Sequence, residues 1–310
     1  MAALAFSAVA SCAAGRGDQS DGTRLDIAAT DGDDASVSSH PGGDDTAGDL
    51  PAAQDSASAP VDNAPPPMGA PPIQSSEPAG ASPQDPSAGV DGCPQGMILV
   101  EGEYCPEPTQ KCIDWMEDPV QFPYARCRAF EQPSTCKVDR VPVRFCIDRY
   151  EASDSTGMPV GDVSWTQAKA ACEASGKRLC QEKEWVFACE GEEMRPYPYG
   201  YVRDASLCNF DRTEDLVTLK GDLADHREPV TANPDCLSPF GVQNMVGNID
   251  EWVVLDKPHY SQVNGGRKMM SGLKGGWWGP LRNRCRPTTV DHDEVFHELQ
   301  TGYRCCADAQ

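Results

Sequence analysis

The first apolar patterns after residue 92 predict two β-strands. Residues 97–104 form an apolar run that predicts a strand followed by a turn at Gly102. Residues 144–151 alternate between apolar and polar positions and predict a second strand, which ends in a Tyr-Glu pair. Residues 104–141 show no regular period, so we expect irregular structure between the two strands.

Two later segments carry the spacing and the end signals of α-helices. Ser164 is a favourable N-cap, and Gln167 three residues later completes a capping box. Gly176 lies in the C′ position where a helix of this length commonly ends. A second helix is predicted over residues 181–189, with Gly191 beyond its end. Few helices and short, scattered strands predict an α+β domain that is rich in loops.

Residues 240–252 follow neither period, because two glycines disfavour a helix and polar residues interrupt the alternation of a strand. We expect a loop that passes through the core. It offers two side chains and two backbone carbonyls with oxygen atoms of the kind that Ca²⁺ prefers. They belong to Asn244, Gly247, Ile249 and Glu251. The alternative is a glycine-rich turn whose asparagines bond to their own backbone.

The N-terminal residues differ in composition from the rest of the chain. Residues 1–11 are short and apolar, as in a signal peptide. The segment Val9-Ala10-Ser11-Cys12 is similar to a bacterial lipobox, which predicts that Cys12 carries a lipid; the alternative is cleavage after Ala10 with Cys12 left free. Residues 12–92 are rich in Asp, Ser, Ala, Gly and Pro, so we expect a disordered acidic linker.

The cysteine content and the charge restrict the compartment and the partners. Fifteen cysteines without a Cys-x-x-Cys pair indicate disulfides in an oxidising compartment rather than zinc sites. Six of them, from Cys93 to Cys146, allow three bridges in and around a Cys-rich elaboration at 104–141. The formal net charge of −22 disfavours nucleic acid as a partner. We expect a monomer in a bacterial cell envelope, lipid-anchored or periplasmic, that meets the membrane through its lipid alone.

Several motifs occur in the order found in the formylglycine-generating enzymes, the sulfatase-modifying factor family, and the chain resembles that family over residues 97–308. The segment 240–252 is similar to the family pattern Gly-Leu-x-Asn-Met-x-Gly-Asn-x-x-Glu-Trp. The other matching pieces are Val163-Ser164-Trp165, Gly176-Lys177-Arg178-Leu179, Glu182-Lys183-Glu184-Trp185, Gly275-Gly276-Trp277 and Gly302-Tyr303-Arg304-Cys305.

The resemblance implies a fold similar to that of C-type lectins: loop-rich, with twisted antiparallel sheets and two helices, and stapled by disulfides in residues 93–308. It implies that the four oxygen ligands in 240–252 form a Ca²⁺ site. It suggests a second site at Asn209 and Phe210, with Asp222 as the acidic partner. The family pattern further implies two disulfides, Cys189–Cys285 and Cys172–Cys305, with Cys306 as the alternative partner of Cys172.

The resemblance also shows what this chain lacks. Active members of the family bind Cu(I) on a Cys-x-x-x-x-Cys pair after a Gly-Gly-Ser motif, and they oxidise a substrate cysteine to formylglycine. Here Trp277 stands at the serine position, and no cysteine lies between Gly276 and Arg284. We therefore expect neither a catalytic residue nor bound copper. His292 and His297 are five residues apart, which places them on different faces of any regular element, so we expect solvated loop histidines rather than a metal site.

Three functions remain compatible with the sequence. The first is a Ca²⁺-stabilised binding module that recognises a protein or a glycan. Its candidate contact residues lie where the reaction cleft of the family would be; they are Trp277, Trp278, Arg282 and Arg284. The alternative for the two tryptophans is a place in the core. The second function is a formylglycine-generating oxidase with a divergent site, and the third is a structural protein of the cell envelope.

Overall fold

The computed structural model describes residues 92–122, 124–262 and 265–310. The predicted signal peptide, Cys12 and nearly all of the predicted linker lie outside these residues. The described part contains the helices α1 (Trp165–Ala174) and α2 (Glu182–Glu190). Its strands are β1 (Met97–Tyr104), β2 (Pro108–Thr109), β3 (Cys112–Trp115), β4 (Cys127–Phe130), β5 (Thr135–Cys136), β6 (Val141–Asp148), β7 (Arg178–Leu179), β8 (Asp250–Tyr260), β9 (Lys268–Lys274), β10 (Thr288–Thr289), β11 (Thr301–Gly302) and β12 (Cys305–Asp308).

One four-stranded antiparallel sheet has the order β1-β6-β12-β7. The predicted turn at Gly102 is wrong, because Gly102 lies inside β1 opposite Val143. A glycine is required there: its φ is +155°, and Glu192 Oε1 lies 2.5 Å from the place that a Cβ would take. The predicted strand 144–151 is present as β6, but it starts at Val141 and ends before Glu151.

The second sheet has the order β10-β9-β8-β11, with β11 parallel to β8. This pairing places Thr301 opposite Asp250 and Gly302 opposite Glu251. The next strand, β12, belongs to the first sheet, between β6 and β7. Residues 301–308 therefore connect the two sheets.

Both predicted helices are confirmed. The Ser164 side chain accepts from the backbone N–H of Gln167, and Gln167 Oε1 accepts from the Ser164 N–H at 2.8 Å. Helix α2 ends one residue later than predicted, and its Trp185 and Phe187 are fully buried in the main core. Burying a large apolar side chain contributes about 1.5–3 kcal/mol. No helix in the described part is long and apolar enough to cross a bilayer.

Disulfides hold the loop-rich parts of the chain to these elements. Seven bridges join the cysteines of the described residues: Cys93–Cys146, Cys105–Cys136, Cys112–Cys127, Cys172–Cys305, Cys180–Cys306, Cys189–Cys285 and Cys208–Cys236. The elaboration at 104–141, expected to be irregular, contains the short strands β2 to β5 in two antiparallel pairs. Its Phe130 packs on Tyr197 and Tyr201.

The segment 240–249 is a loop through the core, as predicted, and β8 begins directly after it. Every residue from Val242 to Glu251 is buried. Met245 and Val246 join the main core beside Trp185. The loop thus fixes the polar residues of this segment inside the protein, where each needs a partner.

Candidate functional site

A buried carboxylate outside the core loop holds two of its asparagines. The Nδ2 atoms of Asn244 and Asn248 donate to the two oxygens of Glu151 at 2.9 Å each. Both asparagines adopt the left-handed backbone conformation, with φ of +55° and +60°. Burial raises the pKa of Glu151 to about 8. Asn244 Oδ1 is buried and has no hydrogen-bond partner among the described residues, so it can accept from water or bind a cation.

Glu251, the predicted carboxylate ligand of Ca²⁺, already has cationic and neutral donors. Arg304 donates through Nη2 and Nε to its two oxygens at 2.6 Å each, and Trp185 Nε1 donates to Oε2 at 2.7 Å. The Gly247 carbonyl accepts from Ile249 N at 2.7 Å. Within the described part, no three His, Cys, Asp or Glu side chains are grouped for a metal. A Ca²⁺ ion here would rely on amide and carbonyl oxygens and on sharing Glu251 with Arg304.

Asn209 and Asp222, of the suggested second Ca²⁺ site, each have other hydrogen-bond partners in the structure. Asn209 Oδ1 accepts from Arg212 Nε at 3.1 Å, and Asn209 Nδ2 donates to Asn248 Oδ1 at 3.1 Å. Asp222 is exposed, and its carbonyl accepts from Thr218 N in a local turn. A guanidinium therefore lies against the Asn209 oxygen at which a cation was predicted to bind.

The candidate contact residues lie in a tight turn over residues 277–284. Arg203 Nη2 donates to Asn283 Oδ1 at 3.1 Å and to the Pro280 carbonyl at 3.3 Å, which fixes the turn from outside. Trp277 is partly exposed, whereas Trp278 is fully buried, so the expectation that both rings face a ligand is wrong for Trp278. Its ring packs edge-on against Trp277 and His226, which is the core alternative.

The two predicted arginines of this turn have different surroundings. The Arg284 guanidinium lies 5.5 Å from the centre of the Phe130 ring, against the Cys-rich elaboration. Arg282 has a φ of +58°, and its Nε and Nη1 atoms are buried without a partner among the described residues. Asp250 Oδ1 is likewise buried without a partner among the described residues, and burial raises the pKa of Asp250 to about 6. Arg282 in the turn and Asp250 at the start of β8 therefore bury opposite charges, and the charge of Arg282 acts against the rise in the pKa of Asp250.

The two histidines have separate partners. His292 stacks on Phe296 with ring centres 3.9 Å apart, and burial lowers its pKa. His297 Nδ1 lies 2.7 Å from Asp162 Oδ1 at the surface. The two histidines therefore have no partner in common: His292 stacks on Phe296, and His297 pairs with Asp162.

Every cysteine of the described part is in a disulfide. Cys189 is bonded to Cys285 and Cys172 to Cys305, the pairs that the family pattern implies. Cys306 pairs with Cys180 instead. The one cysteine near the turn at 277–284 is therefore bound to α2.

Sequence reasoning did not assign a role to Glu151, Arg203 or Arg304, although all three organise the site. Two of them carried a signal. Glu151 ends the predicted strand as part of a Tyr-Glu pair, and Arg304 lies in the Gly-Tyr-Arg-Cys motif. A buried Arg needs a buried carboxylate, so Arg304 and Glu251 could have been paired from their motifs. Arg203 carried no such signal.

The sulfatase-modifying factor enzyme 1-like domain, a family model, matches residues 131–309, which is more than half of the chain. The chain belongs to this family. The Cys-rich residues 104–130 lie before the matched range.

Relatives within the family include active and inactive proteins. The chain is 30% identical over 186 residues to the inactive C-alpha-formylglycine-generating enzyme 2 of Bos taurus, covering 54% of this chain and 58% of that protein. It is 37% identical over 112 residues to the formylglycine-generating enzyme of Bos taurus, covering 33% of this chain and 29% of that protein. The match thus covers 58% or less of the length of these curated relatives.

One solved structure with a similar fold is PvdO from Pseudomonas aeruginosa, with a TM-score of 0.45 and 16% identity. The match covers 73% of this chain and 99% of that one. A likeness at this level concerns the fold alone.

Proposed function

We propose that the protein is a binding module of the cell envelope of a bacterium: exported, lipid-tethered through Cys12, monomeric, and built on a C-type-lectin-like member of the family that has lost the copper site. Ca²⁺ stabilises it, and its partner is a protein or a glycan. Nucleic acid and the bilayer surface are not partners, since the net charge is −22.

The observation that carries the proposal is the state of Cys285. Cu(I) needs soft thiolate ligands, and a disulfide sulfur has no thiolate to offer. Cys285 is bonded to Cys189, and the turn before it contains no other cysteine. Arg203 further fixes that turn in a closed form. These contacts support a scaffold that has been retained without its oxidase chemistry.

Support for Ca²⁺ comes from the core loop. Asn244 Oδ1 is a buried oxygen without a partner among the described residues, at the position that the family resemblance assigns to a Ca²⁺ ligand. Together with the Gly247 and Ile249 carbonyls and Glu251, it would complete a set of hard oxygen ligands. Asn209 and Phe210 stay a second proposed site, which requires Arg212 to leave the Asn209 oxygen.

The test is a direct assay for the missing chemistry. The purified protein is incubated with Cu(I), O₂, a reductant and a peptide containing Cys-x-Pro-x-Arg, and the peptide is then weighed; an active formylglycine-generating enzyme serves as the positive control. We expect an unmodified peptide. Copper-dependent conversion of the peptide cysteine to the aldehyde would instead establish the oxidase. Incorporation of labelled fatty acid, lost in Cys12→Ala, tests the tether.

A further inference from the structure

A surface cleft lies between the Cys-rich elaboration and residues 193–207. Its volume is about 450 Å³, within the range of about 300–1,000 Å³ that is usual for small-molecule sites. Gln132 borders it on the side of the elaboration, and Val202 and Leu207 add apolar wall. Neither the family motifs nor the core loop contributes to it.

The aromatic walls of the cleft are held firmly in place. Tyr199 stacks on the fully buried Tyr197, with ring centres 5.7 Å apart and planes 8° apart. Tyr199 also packs against the main core and borders the cleft, so its ring is held from more than one side. The hydroxyl of Tyr201 donates to the Glu193 carbonyl at 2.8 Å and accepts from Ser134 N at 3.3 Å. A ligand would therefore find a preformed surface, and ordering would cost little affinity.

The polar groups at the cleft have unused hydrogen-bonding capacity. Arg195 uses only Nε to bind Glu193, at 2.7 Å, so both of its Nη groups are without a partner in the described part. Asp204 accepts from Ser206 through Oδ1 alone. The Gln132 amide has no partner among the described residues. Donors and acceptors of planar geometry thus stand beside an aromatic ring.

This combination selects the chemistry of the ligand. Each hydroxyl group both donates and accepts, so a polyhydroxylated ligand can satisfy the guanidinium, the amide and the carboxylates together. An anionic ligand would be repelled by Glu193, by Asp204 and by the net charge of −22. A strongly cationic ligand would be repelled by the Arg195 guanidinium. A sugar ring also has an apolar face that can lie against Val202 and Leu207 at the wall of the cleft.

We propose that the cleft bordered by Tyr199, Tyr201, Arg195 and Gln132 is a binding site for a neutral saccharide. This inference rests on the proposed function of a binding module and names the ligand class of that module. It places recognition on the Cys-rich side of the domain rather than at the buried Trp278.

The experiment presents the complete chain to an array of neutral, sialylated and sulfated oligosaccharides. We expect retention on neutral glycans that the same free oligosaccharide competes away. Val202→Arg, which puts a bulky cation at the wall of the cleft, and Gln132→Ala should each lower this retention at least tenfold. Val217→Arg is the matched control, because Val202 is 56% and Val217 64% exposed and both lie at isolated bridges. Melting temperatures of the three variants show that each is folded.

The proposal is overturned if no neutral glycan is retained, if only anionic glycans are, or if Val202→Arg binds as well as Val217→Arg. Retention that a peptide mixture removes and free sugar does not would also reject it, in favour of a peptide site. Formylglycine formation in the same preparation would reject the proposed function instead. Failure of the array without such conversion rejects the saccharide assignment alone.

Discussion

Arg304 and Glu251 form a paired set of hydrogen bonds inside the core, with both N···O distances at 2.6 Å and side-chain exposures of 0% and 1%. Glu251 lies at the start of β8 and Arg304 directly before β12, so the pair connects the two sheets. Arg304 also donates to the Gln243 carbonyl at 2.9 Å. The pair therefore positions the core loop as well as the sheets.

Removing one partner of this pair should be costly. Arg304→Met leaves Glu251 buried with the Trp185 N–H as its donor but without its ion-pair partner, and Glu251→Gln removes the ion-pair partner of the buried guanidinium. Each should lower the free energy of unfolding by about 3–5 kcal/mol. The double variant should lose less than the sum. Urea titrations in EDTA measure the three values. Additive losses would show that the two side chains act independently.

Calcium should raise the melting temperature through Asn244. Asn244→Gly removes the partnerless oxygen but permits the left-handed backbone at φ +55°, so it should abolish the difference between Ca²⁺ and EDTA. Asn248→Gly is the matched control: it is also buried and left-handed, at φ +60°, and also bonds Glu151, but it is not a predicted ligand. Thermal scans of both variants decide the matter. If Ca²⁺ changes the melting temperatures of the two variants equally, Asn244 is not a Ca²⁺ ligand.

The disulfides should differ in how much they contribute to the free energy of unfolding, according to the lengths of the loops that they close. Cys189–Cys285 spans a sequence separation of 96, and Cys208–Cys236 one of 28. In the chain-entropy model, loss of the first by a double Cys→Ala change costs about 4–5 kcal/mol and loss of the second about 1 kcal/mol less. Chemical denaturation of both double variants tests the order. The reverse order would mean that packing around the second bridge dominates.

The stability should depend on pH through His292. Burial, with the nearby charge of Arg282, lowers the pKa of this histidine below its usual value of 6.5, although Asp291 and Asp293 oppose the shift. The folded state thus favours the neutral ring, so its stabilising effect is complete above about pH 6.5 and is lost as the pH falls below that value. His292→Gln should flatten this part of the profile.

His297→Gln is the control for this titration. His297 is exposed, and its side-chain hydrogen bond to Asp162 raises its pKa. The folded state favours the protonated form of His297. Replacing His297 therefore cannot reduce the loss of stability that occurs as the pH falls. Melting temperatures between pH 5 and 8 compare the two variants. If both profiles match that of the unchanged chain, His292 has no part in the acid response.

The local elements were readable in the sequence because their signals are local. Ser164 and Gln167 fix the start of α1, and Gly176 follows its end. The turn expected at Gly102 failed for a non-local reason: the glycine makes room for Glu192 of a distant segment, and no neighbour in the sequence records this. The two β-strand pairs at 104–141 were missed because they are very short and are held by disulfides rather than by apolar alternation.

The site shows the same limit. The loop 240–249 could be recognised from its irregular pattern, but the partners of its polar groups come from Glu151 and Arg304, at distant positions of the chain. Trp278 and Trp277 are adjacent and chemically identical, and only packing buries the first completely and leaves the second partly exposed. The cleft at Tyr199 arises where two separate segments meet, so no motif in either could predict it.

The placement of β12 has a consequence for the order of events during synthesis. Cys305 and Cys306 are the partners of Cys172 and Cys180, at separations of 133 and 126 residues. A ribosome delivers Cys172 and Cys180 long before their partners, and in the meantime Cys189 is also unpaired because it waits for Cys285. In the native pairing, three thiols therefore wait for later residues, while the six cysteines from Cys93 to Cys146 can already pair among themselves. The native bonds of these three cysteines can therefore form only after residues 285–306 have emerged, and any bond that one of them makes earlier has to be exchanged by attack of another thiolate.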